Sequence, residues 1–201
     1  TPGQLAVMLR SAYDPAVAAT LERSELGRDL ATAGPVAVEE TWDRLRSDSA
    51  FHAVLWVSEW PRSQVYPGFL APVLLSSGMR RAFTLLYDPV RADQAARDIR
   101  KKKTGYLSDA AQRAKAGQIE DAEQNAEYRD VLRQESDLIA GHGVLRDIGM
   151  IAVSAPTTDE LDAAVAAIEQ AAVQASCETR RLVGQQAQAF TAAALPLCRG
   201  L

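Results

Sequence analysis

Three apolar, β-favouring runs, each closed by a proline, place the strongest limit on how this chain can fold. They are residues 51–60 before Pro61, residues 81–90 with Pro89 near the end, and residues 145–155 before Pro156. Valine, phenylalanine and tryptophan favour the pleated surface of a sheet, and proline cannot donate to a strand ladder. We therefore predict three strands that stop at these prolines.

Helical patterns fill most of the remaining sequence. Residues 3–12 carry apolar side chains at helical spacing, and residues 91–139 are rich in strong helix formers. The spacing in the second segment is interrupted at Gly117, so we predict two helices in an antiparallel hairpin joined near residues 115–117. Thr157 and Glu160 form a capping-box pattern ahead of an amphipathic segment that ends near Ala175.

The order of these elements predicts the fold class. Residues 66–77 form a crossover between the first two strands, residues 178–183 a last short strand, and residues 185–195 a last helix before Pro196. Two successive β-α-β units predict an α+β protein with a ferredoxin-like split β-α-β sheet and an inserted long helical hairpin. We place an N-terminal helical segment at 1–33 and the α+β domain at 34–201, with the hairpin at about 91–140. Residues 36–46 remain open between a strand and a short helix.

Length and charge exclude several classes. A chain of 201 residues can bury a core without disulfides or metals. The net charge of −4 does not favour wrapping nucleic acid or lying on an anionic membrane. Cys177 and Cys198 are predicted to be free thiols in a reducing compartment. His52 and His142 lie far from any ligand set at metal spacing, and no stretch approaches the ~20 apolar residues of a membrane span.

Motifs that would indicate catalysis are missing from the sequence. It contains no GxxxxGK[ST] or GxGxxG phosphate loop, no GxSxG elbow and no HExxH. A serine–histidine arrangement would have to use His52, within a predicted strand, or His142, in a glycine-flanked turn. We therefore predict no catalytic residue, no metal and no cofactor in this chain.

Two features are candidate interfaces. The first is the charged helical run that contains Arg97, Arg100, Lys101, Lys102 and Lys103, with Lys102 placed to pair with Asp98. It is either a solvated helix surface or a patch that contacts nucleic acid or an acidic partner.

The second candidate is the end of the first predicted strand, where Trp60 and Arg62 flank Pro61. The two aromatic residues Trp56 and Trp60 either pack around the point where the chain leaves the sheet or shape a docking surface.

Four stretches also carry a family resemblance: HAVLWVSEWPRSQVYPGFLAPVLL, RAFTLLYDPV, GHGVLRDIGMIAVSAPTTDELDAAVAAIEQAA and RRLVGQQAQAFTAAALPLCRGL. Together with the charged helical stretch between them, they resemble the N-terminal, pre-motor region of the ATPases that energise conjugation and type IV secretion. The resemblance covers roughly residues 34–201 and is to the actinobacterial version on conjugative elements.

The resemblance implies a non-catalytic assembly or docking domain, cut from a longer protein whose motor domain follows. The parent would be an oligomeric ATPase in the cytoplasm at the inner face of the cell membrane, with ATP and Mg²⁺ bound only by the motor. Partners would be other secretion-machine proteins, with self-association through the motor and no membrane insertion by this part. The alternative is a stand-alone nucleic-acid-binding module that uses the basic helix. No catalytic residue of the family can be carried onto a position here.

Overall fold

The computed structural model describes residues 1–19, 30–115, 122–195 and 197. It is a mixed α+β protein with an antiparallel sheet, as the sequence predicts. The chain divides into two compact units, Thr1–Leu86 with Ile148–Leu201 and Tyr87–Asp147. The division falls within two long strands, each of which begins in one unit and ends in the other.

The helices and strands follow the predicted order. The helices are α1 (Pro2–Tyr13), α2 (Ala71–Leu75), α3 (Ala92–Lys115), α4 (Ala122–Ile139), α5 (Thr158–Gln174) and α6 (Gln186–Ala194), with 3₁₀ turns at Pro15–Ala19 and Leu30–Ala33. The strands are β1 (Val38–Glu40), β2 (Leu45–Ser47), β3 (Ala50–Glu59), β4 (Arg80–Val90), β5 (Val144–Ala155) and β6 (Glu178–Arg181). The open segment 36–46 contains β1 and the start of β2, which pair antiparallel.

The central strand of the sheet is β3. On one side it pairs antiparallel with β5, from Phe51 opposite Ala155 to Val57 opposite Gly149. On its other side it pairs with β2 near its start and with β6 near its end, both antiparallel. Beyond β5 lies β4, so these four strands lie side by side in the order β6-β3-β5-β4.

Helices cover both faces of this sheet. Val73 of α2 and the apolar face of α5, including Leu161 and Ile168, pack on one face. Residues of α6, led by Phe190, pack on the other, with α1 residues such as Leu9 beside them. Burial on both faces explains why β3 and β5 read as nearly continuous apolar runs rather than as alternating patterns.

The start of α5 and the end of β4 differ slightly from the sequence prediction. The hydroxyl oxygen of Thr157 accepts a hydrogen bond from the backbone N–H of Glu160 at 3.3 Å, so the threonine half of the predicted capping box is present. Pro89 lies inside β4 rather than after it. The strand is partly exposed along most of its length, and it stands last in the strand order, next to β5. A proline, which has no backbone N–H to donate, is tolerated in such an edge strand.

The second unit contains α3 and α4, which contact each other through polar side chains. Lys103 Nζ lies 2.7 Å from a carboxylate oxygen of Glu135, and the Tyr106 hydroxyl donates to Glu127 at 2.8 Å. The Tyr106 and Tyr128 rings are 6.0 Å apart. Tyr106 follows Lys103 in α3, whereas its partner Glu127 precedes Glu135 in α4. The two helices therefore run in opposite directions. The predicted junction extends into residues 116–121, and Pro196 and Cys198 also lie outside the described residues.

Candidate functional site

The basic run of α3 is divided between different faces of the helix. Arg97, Arg100 and Lys101 line a shallow concavity of about 450 Å³, together with Thr104, Gly105 and Ser108. Lys103 instead points to α4, where it forms the ion pair with Glu135. The structure therefore brings together only part of the run that the sequence singles out.

Ion pairs within the second unit involve Arg97 and Asp98 of this run and so partly neutralise individual charges in it. Arg97 lies 3.1 Å from Asp93, one turn earlier in the same helix. Asp98, the predicted partner of Lys102, lies 3.5 Å from Arg146. In each pair at least one of the two side chains is more than half exposed. Solvent therefore screens both ion pairs, and each contributes little to stability.

The Trp60 side chain belongs to the core of the first unit. It is half-buried and packs against the apolar cluster beneath α2 and α5. Its indole covers Gly149 of the neighbouring strand so closely that an added Cβ there would lie 2.7 Å from Trp60 Cζ2. Arg62 is exposed and lies 3.2 Å from Glu59. The packing interpretation of Trp60 thus has direct support.

A cavity in the first unit was not anticipated from the sequence. It has a volume of about 720 Å³ and is lined mainly by apolar residues, among them Met79 and the smaller Pro156, Ala163, Ala164 and Ala167. Its polar groups come from four separate segments: Ser49, Arg80, Ser154 and Glu160. No local pattern could reveal it, because these residues meet only when the sheet and α5 are assembled.

Behind this cavity, His52 lies fully buried in a chain of hydrogen bonds. The Ser47 hydroxyl donates to the Tyr13 carbonyl at 2.6 Å, and Ser47 Oγ also lies 2.6 Å from His52 Nε2. Because the single hydroxyl proton of Ser47 goes to a carbonyl, Nε2 must carry the ring proton. His52 Nδ1 is then an acceptor, so the Ser154 hydroxyl donates to it at 2.8 Å.

This arrangement favours a structural role for His52. Burial lowers its pKa to about 4, the Tyr13 carbonyl offsets part of that shift, and the charge of Arg80 adds to it. A neutral ring with both nitrogens bonded satisfies the requirement for buried polar groups. A histidine with so low a pKa is also a weak general base near neutral pH. The network therefore ties α1, β2, β3 and β5 together.

Three other features of the described residues are relevant to function: the free thiol, any groups that could bind a metal, and any helices that could cross a membrane. Cys177 is a buried free thiol, and burial raises its pKa. No group of three or more His, Cys, Asp or Glu side chains within the described ranges is arranged to hold a metal ion. None of the helices in the part of the chain that the structure describes combines the length and apolar character that a bilayer crossing needs.

Comparison with known proteins assigns the chain to no family. No protein-family model matches it. No curated protein matches it either.

Proposed function

We propose that this chain is a non-catalytic assembly and docking domain of a conjugative type IV secretion ATPase whose motor domain follows in a longer protein. The stretches that carry the resemblance coincide with central elements of the sheet and its helical layers. They cover β3 and α2, then β4, then β5 with α5, and finally α6. The resemblance therefore involves the residues that build the sheet and both of its helical layers, which supports a shared architecture.

The finer fold belongs to the same proposal. The strand order β6-β3-β5-β4, with β3 antiparallel to both neighbours, is the order expected of a split β-α-β sheet. The crossovers through α2 and α5 each skip one strand, which supports two interleaved β-α-β units. In this ferredoxin-like arrangement, α3 and α4 are the insertion between the two halves.

The observation that carries the docking role is the small amount of apolar burial in α3 and α4. Among the described side chains of these two helices, those that are buried are Ala95, Ile99 and Val131. Leu107 is 56% exposed and Ile139 is 81% exposed. Burying these side chains against a partner protein would remove their apolar surface from water, which supports a docking role. The partners would be other proteins of the secretion machine.

The parent protein would bind ATP and Mg²⁺ in its motor domain and self-associate through it, at the cytoplasmic face of the membrane. The first test is to read the coding sequence downstream of the codon for Leu201. The proposal expects a GxxxxGK[ST] phosphate loop in the continuing frame. A stop codon directly after Leu201 would overturn it and leave the stand-alone nucleic-acid-binding module as the alternative.

A second test addresses catalysis directly. The isolated chain should show no ATP turnover above a buffer blank, because the proposal assigns all nucleotide chemistry to the motor domain. Turnover that persists through purification and disappears on unfolding would contradict a non-catalytic role, whatever the downstream sequence contains.

A further inference from the structure

The side of α3 that faces α4 is defined by contacts. Tyr106 and Lys103 bond to α4 residues, and Ala95 and Ile99 are buried. An α-helix turns through 3.6 residues, so these positions share one side of α3. The opposite side carries a series of exposed residues at helical spacing, which we name the basic stripe: Arg97, Arg100, Lys101, Thr104, Ser108, Ala111, Gln112 and Lys115.

The charge of the stripe is uniform along its length. Its charged members are all basic, whereas Asp98 and Asp109 fall on the flank of the helix between the two sides. Arg97 to Lys115 spans about 27 Å at a rise of 1.5 Å per residue. Asp93, at the start of α3, partly neutralises Arg97. The remaining cations extend along the helix without an acidic neighbour on the stripe itself.

The residue types of the stripe suit phosphate groups better than a protein surface. Protein interfaces have a desolvated core with aromatic or aliphatic anchors, and here Leu107 stands only at the border of the stripe. Contacts to phosphate oxygens are made by arginine, lysine, serine, threonine and glutamine side chains. These types account for every member of the stripe except Ala111, whose small side chain leaves room for a ligand. Gly105, beside it, adds no side chain that would hold a backbone away.

We propose that the basic stripe binds the phosphate backbone of nucleic acid without reading its sequence. This goes beyond the docking role, because it assigns a second class of partner to the polar residues of α3, which the docking role does not use. It also restricts the interface within the basic run: Lys103 is excluded by its ion pair with Glu135, and Lys102 lies off the stripe. The net charge of −4 opposes association over the whole molecule, so binding should be weak and strongly dependent on salt.

The test is fluorescence anisotropy of a labelled mixed-sequence duplex, titrated with the whole chain at several salt concentrations. Four phosphate contacts predict a slope of log K against log salt of about −3.6 on duplex DNA. Affinity should then fall by about 150-fold between 50 and 200 mM salt. A single strand of the same length should give a slope of about −2.8.

Variants separate the stripe from bulk charge. Reversing Arg100, Lys101 and Lys115 to Glu should abolish binding at 50 mM salt. The control reverses Lys102, Arg129 and Arg133 to Glu, which changes the net charge equally on other exposed positions and should leave most of the affinity. Circular dichroism verifies that both variants keep the helices.

Three results would overturn the proposal. They are no binding by the unaltered chain at 50 mM salt, an equal loss of affinity in both variants, and tighter binding of poly-glutamate than of DNA, which would assign the stripe to an acidic protein. None of these outcomes bears on whether a phosphate loop follows Leu201, so the two proposals fail independently.

Discussion

His52 and Ser154 face each other directly across β3 and β5, and the Nδ1 atom of the ring lies 2.8 Å from the serine hydroxyl oxygen. The pair joins the two innermost strands beneath Phe190, whose ring centroid is 4.4 Å from that of the imidazole. Burial lowers the pKa of His52 and keeps the ring neutral, so Nδ1 is the acceptor for the Ser154 hydroxyl.

The first prediction concerns acid stability. Burial lowers the pKa of His52 from its ordinary 6.5 to about 4, so between these values the unfolded chain binds more protons than the folded one. Stability is therefore lost as the pH falls from about 6.5 towards 4. We expect a loss of about 2 kcal/mol between pH 7 and pH 5 from this residue. Urea unfolding at both pH values measures it. The His52→Gln variant should show a much smaller pH effect, and an equal effect would assign the loss to other groups.

A second prediction concerns the turn at Asp48, which has a left-handed φ of 50°. Burial acts to raise the pKa of this carboxyl, but the backbone N–H groups of Ala37 and Val36, with Arg10, outweigh it and hold the pKa below its ordinary value. Asp48→Ala removes these bonds and places alanine in a strained conformation, so we expect a loss of about 2–3 kcal/mol.

Asp48→Asn is the matched control, because asparagine tolerates the left-handed region and keeps an acceptor oxygen. Its cost should be near 1 kcal/mol in the same urea titration. If alanine and asparagine cost the same, the backbone bonds at this turn would contribute nothing measurable.

The third prediction tests the close approach of Trp60 to Gly149. An added Cβ at Gly149 would meet Trp60 Cζ2 at 2.7 Å and Val57 Cγ2 at 2.9 Å. Gly149→Ala should therefore destabilise the protein by about 1–3 kcal/mol through overpacking. Gly143→Ala is the control, since nothing lies within 4 Å of a Cβ there. In a Trp60→Leu background the Gly149→Ala penalty should shrink. An unchanged penalty would show that the tryptophan is not its cause.

The fourth prediction distinguishes two adjacent lysines. Lys103 is 29% exposed and Glu135 36% exposed, and their charged groups lie 2.7 Å apart. A double-mutant cycle with Lys103→Met and Glu135→Gln should give a coupling of about 0.5 kcal/mol. The same cycle with Lys102→Met should give a coupling near zero. Equal couplings would mean that the face assignment of α3 is wrong.

Much of the secondary structure follows from local pattern. The strands β3, β4 and β5 and the helices α1, α3, α4 and α5 stand where apolar spacing and helix-forming residues predict them. Segment 36–46 was ambiguous because β1 and β2 are only three residues long, too short for a period to show. Pro89 was misplaced because a strand at the end of the strand order can keep a proline that a central strand cannot.

The candidate sites were less accessible to sequence reasoning. The spacing of five basic residues within 97–103 does not show which of them turn outward, since that depends on where α4 packs. The cavity beside Ser154 draws its walls from distant segments, and the hydrogen bonds of His52 depend on strand register. A one-residue shift in that register would turn Ser154 to the other face of the sheet.

The sequence by itself determined the α+β class, the element order and the residue types on α3, because these depend on interactions within a few residues. Tertiary structure alone decided which face each element presents. It closed both sides of the sheet, paired Lys103 with Glu135 and enclosed His52 between two serines. Those outcomes depend on packing between segments far apart in the chain, whose contacts exist only once the strands have found their register.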